Sequence, residues 1–168
     1  MFNFIFQDFS ENKGNLKAQF IILFFRFANF FEISDNKFIQ ILKYPINFLY
    51  KIFVGLFLTV ELPPKTKIGK GLKIFHGQAL VVNDKTVIGE NVILRNGVVI
   101  GNIILKDGSD SKSPIIGNNV EIGSNACIIG DVKIGNNTKI GAGTIVIKDV
   151  PDNCIVVGNP ARIIPNEN

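Results

Sequence analysis

A period of six residues governs the hydrophobic positions between Ile116 and Val146. Large branched residues occupy every sixth position, and smaller residues form a second rank four positions later. This period fits neither a helix, which repeats every ~3.6 residues, nor an alternating strand, which repeats every ~2. It is typical of a parallel β-helix built from six-residue units. The large rank comprises Ile116, Ile122, Ile128, Ile134, Ile140 and Val146, and the small rank Val120, Ala126, Val132, Thr138 and Thr144.

Glycine marks the turns of this repeat at Gly117, Gly123, Gly135 and Gly141. Glycine, with Asn or Asp, accepts the left-handed backbone conformations that such turns need. Three units close one triangular coil, and its inward residues stack on their equivalents about 4.8 Å away in the next coil. Since one coil cannot bury its inner face alone, the coils must stack into a mainly β domain.

The repeat extends upstream with one change of phase. Ile68 and Ile74 are six residues apart, whereas the positions from Val82 to Ile100 are shifted by two. We expect an irregular turn around Gly77–Asn83 to absorb this shift. The β-helix is predicted over residues 61–150, with a polar loop at 102–114 extruded from it and a C-terminal cap at 151–168. Long loops on rigid scaffolds often carry function.

Residues 1–60 form a different, helical segment. Apolar residues recur at helical spacing in Leu16–Phe31 and Phe38–Leu58, with breaks expected near residues 10–14 and 34–36 and at Pro45. The apolar runs are shorter than the ~20 residues of a membrane span. We predict a helical cap that packs on the β-helix or on another subunit. Peripheral contact with a membrane is the alternative, because this segment is rich in phenylalanine.

Composition excludes several classes of protein. The chain has 168 residues, of which 46% are hydrophobic and 19% charged, so it is globular rather than disordered. The net charge of +4 is spread thinly, without the basic stripe of a nucleic-acid binder. Two cysteines, Cys127 and Cys154, are too few for a disulfide framework, and no secretory leader is evident. We therefore expect a cytoplasmic protein, with membrane association as the alternative.

The hexapeptide units, the His76–Gly77 pair, the segment AGTIVIKDVPDN and the tail VVGNPARII resemble the hexapeptide-repeat acyltransferases. The resemblance covers nearly the whole chain and is nearest to the serine acetyltransferase branch, in particular to its bacterial relatives that acetylate colanic acid and other surface polysaccharides. It implies a left-handed parallel β-helix, acetyl-CoA as co-substrate and no metal. It also implies a homotrimer with active sites between subunits. A dimer of such trimers is the alternative assembly.

Acyl transfer to a hydroxyl requires a base, and histidine suits that role. His76 is the sole histidine of the chain. The resemblance places an acidic residue fifteen positions earlier, where Glu61 stands, and so implies a His76–Glu61 dyad. Asp84 is the alternative carboxylate and a candidate substrate-binding residue.

Two features, one of them a pair of residues, depart from the serine acetyltransferases. The residue before the histidine, an aspartate in that class, is Phe75, and an Arg-His pair in the loop is replaced by Lys112 and Ser113. A free amino acid needs charged partners for its ammonium and carboxylate groups, whereas a neutral sugar hydroxyl does not. Phe75 could instead pack against a sugar face. Phe75, Lys112 and Ser113, together with Asp84, are predicted to bind the acceptor.

Coenzyme A is predicted to lie along the C-terminal coils. The resemblance points to Gly123, Ser124, Gly141 and Ala142 for the pantetheine arm. Lys148 and Arg162 are candidates for its phosphates. The main hypothesis is an O-acetyltransferase acting on a sugar of a surface polysaccharide or its precursor. The alternatives are a serine O-acetyltransferase and a non-catalytic β-helix scaffold.

Overall fold

The computed structural model describes residues 1–166, apart from the side chains of residues 37 and 38. The predicted cap therefore extends two residues beyond the described part. The described chain begins with helices and continues with short strands. The helices are α1 (Phe2–Ile5), a 3₁₀ turn (Ser10–Asn12), α2 (Leu16–Ile33), α3 (Lys37–Tyr50) and a π-helical continuation of α3 (Lys51–Phe57).

Fifteen strands follow, and all but the last wind into a parallel β-helix of about five turns. Sheet A contains β1, β4, β7, β10 and β13; sheet B contains β2, β5, β8 and β11; sheet C contains β3, β6, β9, β12, β14 and β15. The strands are β1 (Val60–Glu61), β2 (Lys67–Ile68), β3 (Lys73–Phe75), β4 (Leu80–Val82), β5 (Val87–Ile88), β6 (Ile93–Arg95), β7 (Val99–Gly101), β8 (Ile115–Ile116), β9 (Glu121–Ile122), β10 (Cys127–Ile129), β11 (Lys133–Ile134), β12 (Lys139–Ile140), β13 (Ile145–Val146), β14 (Cys154–Val157) and β15 (Arg162–Pro165).

The six-residue period places the large residues in the core, as predicted. In sheet A the register stacks Val82 on Ile100, Ile100 on Ile128 and Ile128 on Val146. These four side chains are at most 2% exposed. Each stack repeats once per coil, so the core is a set of ordered columns of branched side chains.

The change of phase lies in the turn between β3 and β4. Val60 pairs with Leu80, so the first coil has 20 residues, whereas Val81 pairs with Val99, so the second has 18. The two additional residues fall in the turn 76–79, where His76, Gly77 and Ala79 have positive φ. The turn is therefore shorter than the predicted range and ends where β4 begins.

The helical segment covers the open edge of the first coil. The Asp8 carboxylate accepts a hydrogen bond from the backbone N–H of Gly71 at 2.6 Å. Arg26 donates to the carbonyls of Ile68 (2.9 Å) and Gly69 (2.5 Å), and its Nε lies 2.6 Å from Asp8 Oδ2. Side chains thus supply the hydrogen bonds that a preceding coil would supply, and they cover an edge that would otherwise invite pairing.

The predicted helix break at Pro45 is wrong, because α3 continues through this residue. Proline removes one backbone donor and leaves the carbonyl four residues earlier, at Ile41, without its partner. Pro45 and Ile41 both lie on the exposed side of the helix. Water can hydrate the freed carbonyl there, so the helix tolerates the proline.

Candidate active site

His76 stands at the centre of a tight turn directly after β3. Its φ is +65°, and the N–H of Gly77 donates a 2.8 Å hydrogen bond to the carbonyl of Phe75. This i to i+2 bond defines a γ-turn of the positive-φ type, which is rare and strained. Such strain is characteristic of functional sites. The turn leaves the imidazole exposed at the corner of the prism between sheets C and A.

The same corner recurs in each coil and forms a column of turns. Gly97 N–H bonds the carbonyl of Gln78 (2.8 Å), Asn125 N–H that of Asn96 (3.0 Å), and Gly143 N–H that of Ser124 (2.9 Å). Successive coils are about 4.8 Å apart, so Ser124 lies about 10 Å and Ala142 about 14 Å below His76 along the corner.

A cavity of about 410 Å³ lies beside the lower part of this corner, on the outer face of sheet C. Its wall brings together the four residues predicted for the pantetheine arm: Gly123, Ser124, Gly141 and Ala142. The coil itself accounts for the glycine at position 123, because a Cβ there would lie 2.5 Å from the backbone N of Ala142. Ser124 and Ala142 are the members whose side chains the coil leaves accessible.

Arg95 joins this cavity to the His76 turn and was not identified from the sequence. Its guanidinium lies 4.8 Å from the ring centroid of Phe75 and 2.7 Å from the carboxylate of Glu121. Arg95 and Glu121 also line the cavity. The strand register would have identified Arg95, because Arg95 pairs with Phe75 one 20-residue coil earlier and occupies the same outward position.

Glu61 and Asp84 line a second, larger cavity of about 920 Å³ between α3 and sheet A. Tyr44, Phe48 and Lys51 form the helical side of that cavity. His76 lies outside its wall, in the turn after β3. Among the described residues no hydrogen bond joins the Glu61 carboxylate to His76, so the dyad stays a prediction.

The loop residues lie at a different corner, between sheets A and B. Ser113 is buried, and its hydroxyl donates to the side-chain carbonyl of Asn83 at 2.8 Å. Lys112 is exposed, with its Nζ 3.8 Å from Asp131. Within one chain, the loop pair is therefore on the side of Asp84 and not on the side of His76.

The two candidate phosphate ligands lie at the C-terminal end of the β-helix, and both are exposed. Lys148 lines a cavity of about 200 Å³ with Pro160 and Ala161. Arg162 pairs with Val157 in the β14–β15 hairpin, and a Cβ on Gly141 would lie 3.0 Å from Val157. Arg162 is thus connected through Val157 to Gly141 in the wall of the sheet C cavity, whereas Lys148 lines a different cavity.

Comparison with known proteins agrees with this architecture. The family model described as bacterial transferase hexapeptide (six repeats) matches residues 113–148. The putative colanic acid biosynthesis acetyltransferase WcaB of Escherichia coli K12 is 36% identical over 160 residues, covering 94% of this chain and 96% of that protein. Serine acetyltransferase 1 of Arabidopsis thaliana is 46% identical over 105 residues, but these span 62% of this chain and 33% of that protein.

Solved serine acetyltransferases share the fold. The soybean apoenzyme superposes with a TM-score of 0.80 at 28% identity, covering 96% of this chain and 68% of that one. The Neisseria gonorrhoeae enzyme gives 0.76 at 29%, covering 95% and 63%. The predicted left-handed parallel β-helix with an N-terminal helical segment is thereby confirmed. The chain belongs to the hexapeptide-repeat acetyltransferases, in the group that contains WcaB and the serine acetyltransferases.

Proposed function

We propose that this protein is an acetyl-CoA-dependent O-acetyltransferase that modifies a sugar hydroxyl of a bacterial surface polysaccharide or its precursor, with His76 as general base. One observation carries the proposal: the sole histidine occupies a strained γ-turn at the head of the corner that leads to the sheet C cavity. The likeness to WcaB over nearly the whole length of both chains supports the choice of acceptor.

The residues of the site divide the chemistry between them. An imidazole nitrogen of His76 accepts the proton of the sugar hydroxyl as its oxygen attacks the acetyl carbonyl. The thioester carbon–sulfur bond then breaks, the acetyl group stays on the sugar oxygen, and the proton reaches the departing thiolate. Glu61 is the proposed partner that would orient His76, a role that carboxylates fill beside catalytic histidines.

The sheet C cavity is the proposed site of the pantetheine arm of acetyl-CoA. Four small residues lie in its wall on two successive coils, and the rest of the wall is made of larger side chains: Arg95, Glu121, Lys139, Ile140 and Ile155. Acetyl-CoA supplies the activated acetyl group. Arg162 beyond the cavity, and Lys148 at the same end, are the fixed cations proposed for the phosphates.

The surroundings of His76 favour a glycan over L-serine. An aromatic ring, Phe75, stands where a serine acetyltransferase has a carboxylate, and its neighbours are the cations of Lys73 (5.0 Å) and Arg95 (4.8 Å). None of these three groups is the anionic partner that the ammonium group of L-serine requires, whereas a sugar hydroxyl requires none. Serine O-acetylation is retained as the second candidate because the solved structures that share the fold are serine acetyltransferases.

A homotrimer packed through sheet A would complete the site. The outer positions of this sheet are apolar and half-buried at Val81, Val99, Cys127 and Ile145. In a threefold ring each interface joins two different surfaces. The His76 corner of one subunit would then face the Asp84 and Ser113 corner of the next, which would unite the two groups of predicted residues.

Acceptor identity is tested by following free-thiol release from acetyl-CoA with the full-length protein. The host polysaccharide or its oligosaccharide repeat is one acceptor, and L-serine the other. We expect thiol release only when the glycan is the acceptor. The glycan should gain about 42 Da for each acetyl group that replaces a hydroxyl proton. Rapid release with L-serine alone would contradict the proposal and favour the second candidate.

The trimer is tested by light scattering. We expect a mass about three times the chain mass of 18.5 kDa. Val99→Glu, on the outer face of sheet A, should dissociate it, whereas Val87→Glu on sheet B should not. A wild-type monomer would contradict the proposed assembly.

A further inference from the structure

The helical segment exposes large apolar side chains as well as burying others. On α3 and its π-helical continuation, the exposed side chains are Ile41 (66%), Leu42 (51%), Phe48 (64%), Leu49 (51%), Phe53 (45%), Leu56 (73%) and Phe57 (70%). The opposite side packs into the hydrophobic core through Tyr50 and Val54, and Lys43 and Asn47 beside them contact Glu32 at 3.6 Å and 2.9 Å. The helix is therefore apolar on two sides, whereas an ordinary surface helix turns polar residues to solvent.

The exposed apolar residues, named here the α3 stripe, form a continuous surface. Leu49, Phe53, Leu56 and Phe57 recur at three- and four-residue spacings, and the pairs Ile41–Phe48 and Leu42–Leu49 are two helical turns apart, so the stripe follows one side of the helix. The stripe continues onto α2 through ring contacts, because Phe53 lies 6.4 Å from Phe24 and Phe24 lies 4.3 Å from Phe20. A contiguous apolar surface of this kind marks an interaction site.

Charge indicates what covers the α3 stripe. From Asn36 to Val60 the sequence contains three lysines and no acidic or arginine residue, a net charge of +3. Glu32, on α2 beneath the helix, is already engaged by Lys43 and Asn47. Lys43 is thereby neutralised, and exposed Lys51 is the cation among the described side chains of this helix that can meet a partner surface. An anionic lipid surface complements it, and the sequence from Asn36 to Val60 contains no carboxylate that would oppose such a contact.

We infer that the α3 stripe lies in the interface of an anionic lipid bilayer and holds the protein to the membrane surface. The helix lies flat, with the stripe residues outside the Glu61 cavity among the acyl chains and exposed Lys51, in the wall of that cavity, at the headgroups. No helix in the described part of the chain is long and apolar enough to cross a membrane. The contact is peripheral and reversible by salt.

The test is flotation of the full-length protein with vesicles of phosphatidylcholine, with and without phosphatidylglycerol. We expect binding to the anionic vesicles that weakens at high salt. Leu49→Glu and Phe57→Glu should each lower the partition coefficient about tenfold or more, since each loses one buried side chain. Leu49→Gln separates lost apolar area from added charge and should reduce binding to a smaller extent.

The matched control is Ile104→Glu, which changes a side chain of similar exposure (77%) in the loop 102–114 and should bind as the wild type does. All variants should retain the wild-type melting temperature and release of thiol from acetyl-CoA in solution, because these side chains are exposed and outside the proposed site. Equal binding to neutral vesicles, or no binding, would overturn the inference. A fall in the solution mass of Leu49→Glu without vesicles would show that a second copy covers the stripe instead.

Discussion

A Cβ atom on residue 77 would lie 3.0 Å from Cδ1 of Ile21, in the middle of helix α2. Gly77 is the residue that closes the γ-turn around His76, and Ile21 is fully buried. The helical segment therefore presses directly on the turn that presents the proposed base. It holds His76 in place as well as covering the end of the β-helix.

Gly77→Ala should destabilise the protein and slow acetyl transfer. Its φ of +68° alone costs an alanine about 1–2 kcal/mol, and the contacts with Ile21 and Ile74 add to that. Gly143→Ala is the matched control, because its φ is +66° but a Cβ there meets nothing within 4 Å. Chemical denaturation should give a larger loss for Gly77→Ala. Equal losses would mean that the contact with α2 is unimportant.

The buried Asp8–Arg26 pair should contribute strongly to stability. Both side chains are at most 1% exposed, and Asp8→Asn leaves the guanidinium without its counter-charge. Removing one partner of a buried pair typically costs about 3–5 kcal/mol. Lys70→Met breaks an exposed pair with Glu90 at 3.8 Å and should cost less than about 1 kcal/mol. Urea denaturation of both variants gives the two losses in free energy of unfolding. Similar, small losses would show that the Asp8–Arg26 pair does not hold the N-terminal helical segment on the first coil.

The sequence predicted what the six-residue period controls and missed what depends on the third dimension. The period specifies which residues face inward, so the coils and the phase change before Val82 could be found. Asp8 and Arg26 bond to backbone groups more than 40 residues away, and no local pattern marks such pairs. The helix break predicted at Pro45 was wrong because a helix tolerates proline where its freed carbonyl is exposed, and the sequence does not show which side of α3 is exposed. Arg95 became visible only when the register aligned it with Phe75.

Ala142→Leu should raise the KM for acetyl-CoA. Ala142 is exposed and lines the sheet C cavity, so a larger side chain would fill the space proposed for the pantetheine arm. We expect a KM increase of roughly tenfold or more, with an unchanged melting temperature. Val87→Phe adds comparable bulk on sheet B and should leave KM unaffected. Steady-state kinetics with varied acetyl-CoA measures both KM values. A wild-type KM in Ala142→Leu as well as in Val87→Phe would contradict the proposed cofactor site.

Tyr50 should make stability sensitive to alkaline pH. Burial raises the pKa of its hydroxyl well above the ordinary value of about 10, and the hydroxyl donates to the carbonyl of Leu62 at 2.7 Å. The folded state keeps the proton while the unfolded state loses it, so this contribution is complete below about pH 10 and declines above it. Tyr50→Phe should remove that decline and cost about 1 kcal/mol at neutral pH. Tyr44→Phe, at an exposed position, should keep the decline.

The measurement that tests the central claim most directly is kcat for acetyl transfer to the glycan by His76→Asn. Asparagine accepts positive φ, so the γ-turn should persist and the melting temperature should match the wild type. Loss of a general base should lower kcat by about 10²–10⁴-fold, with little change in the KM for acetyl-CoA. A folded variant that retains the wild-type kcat would show that His76 is not the base.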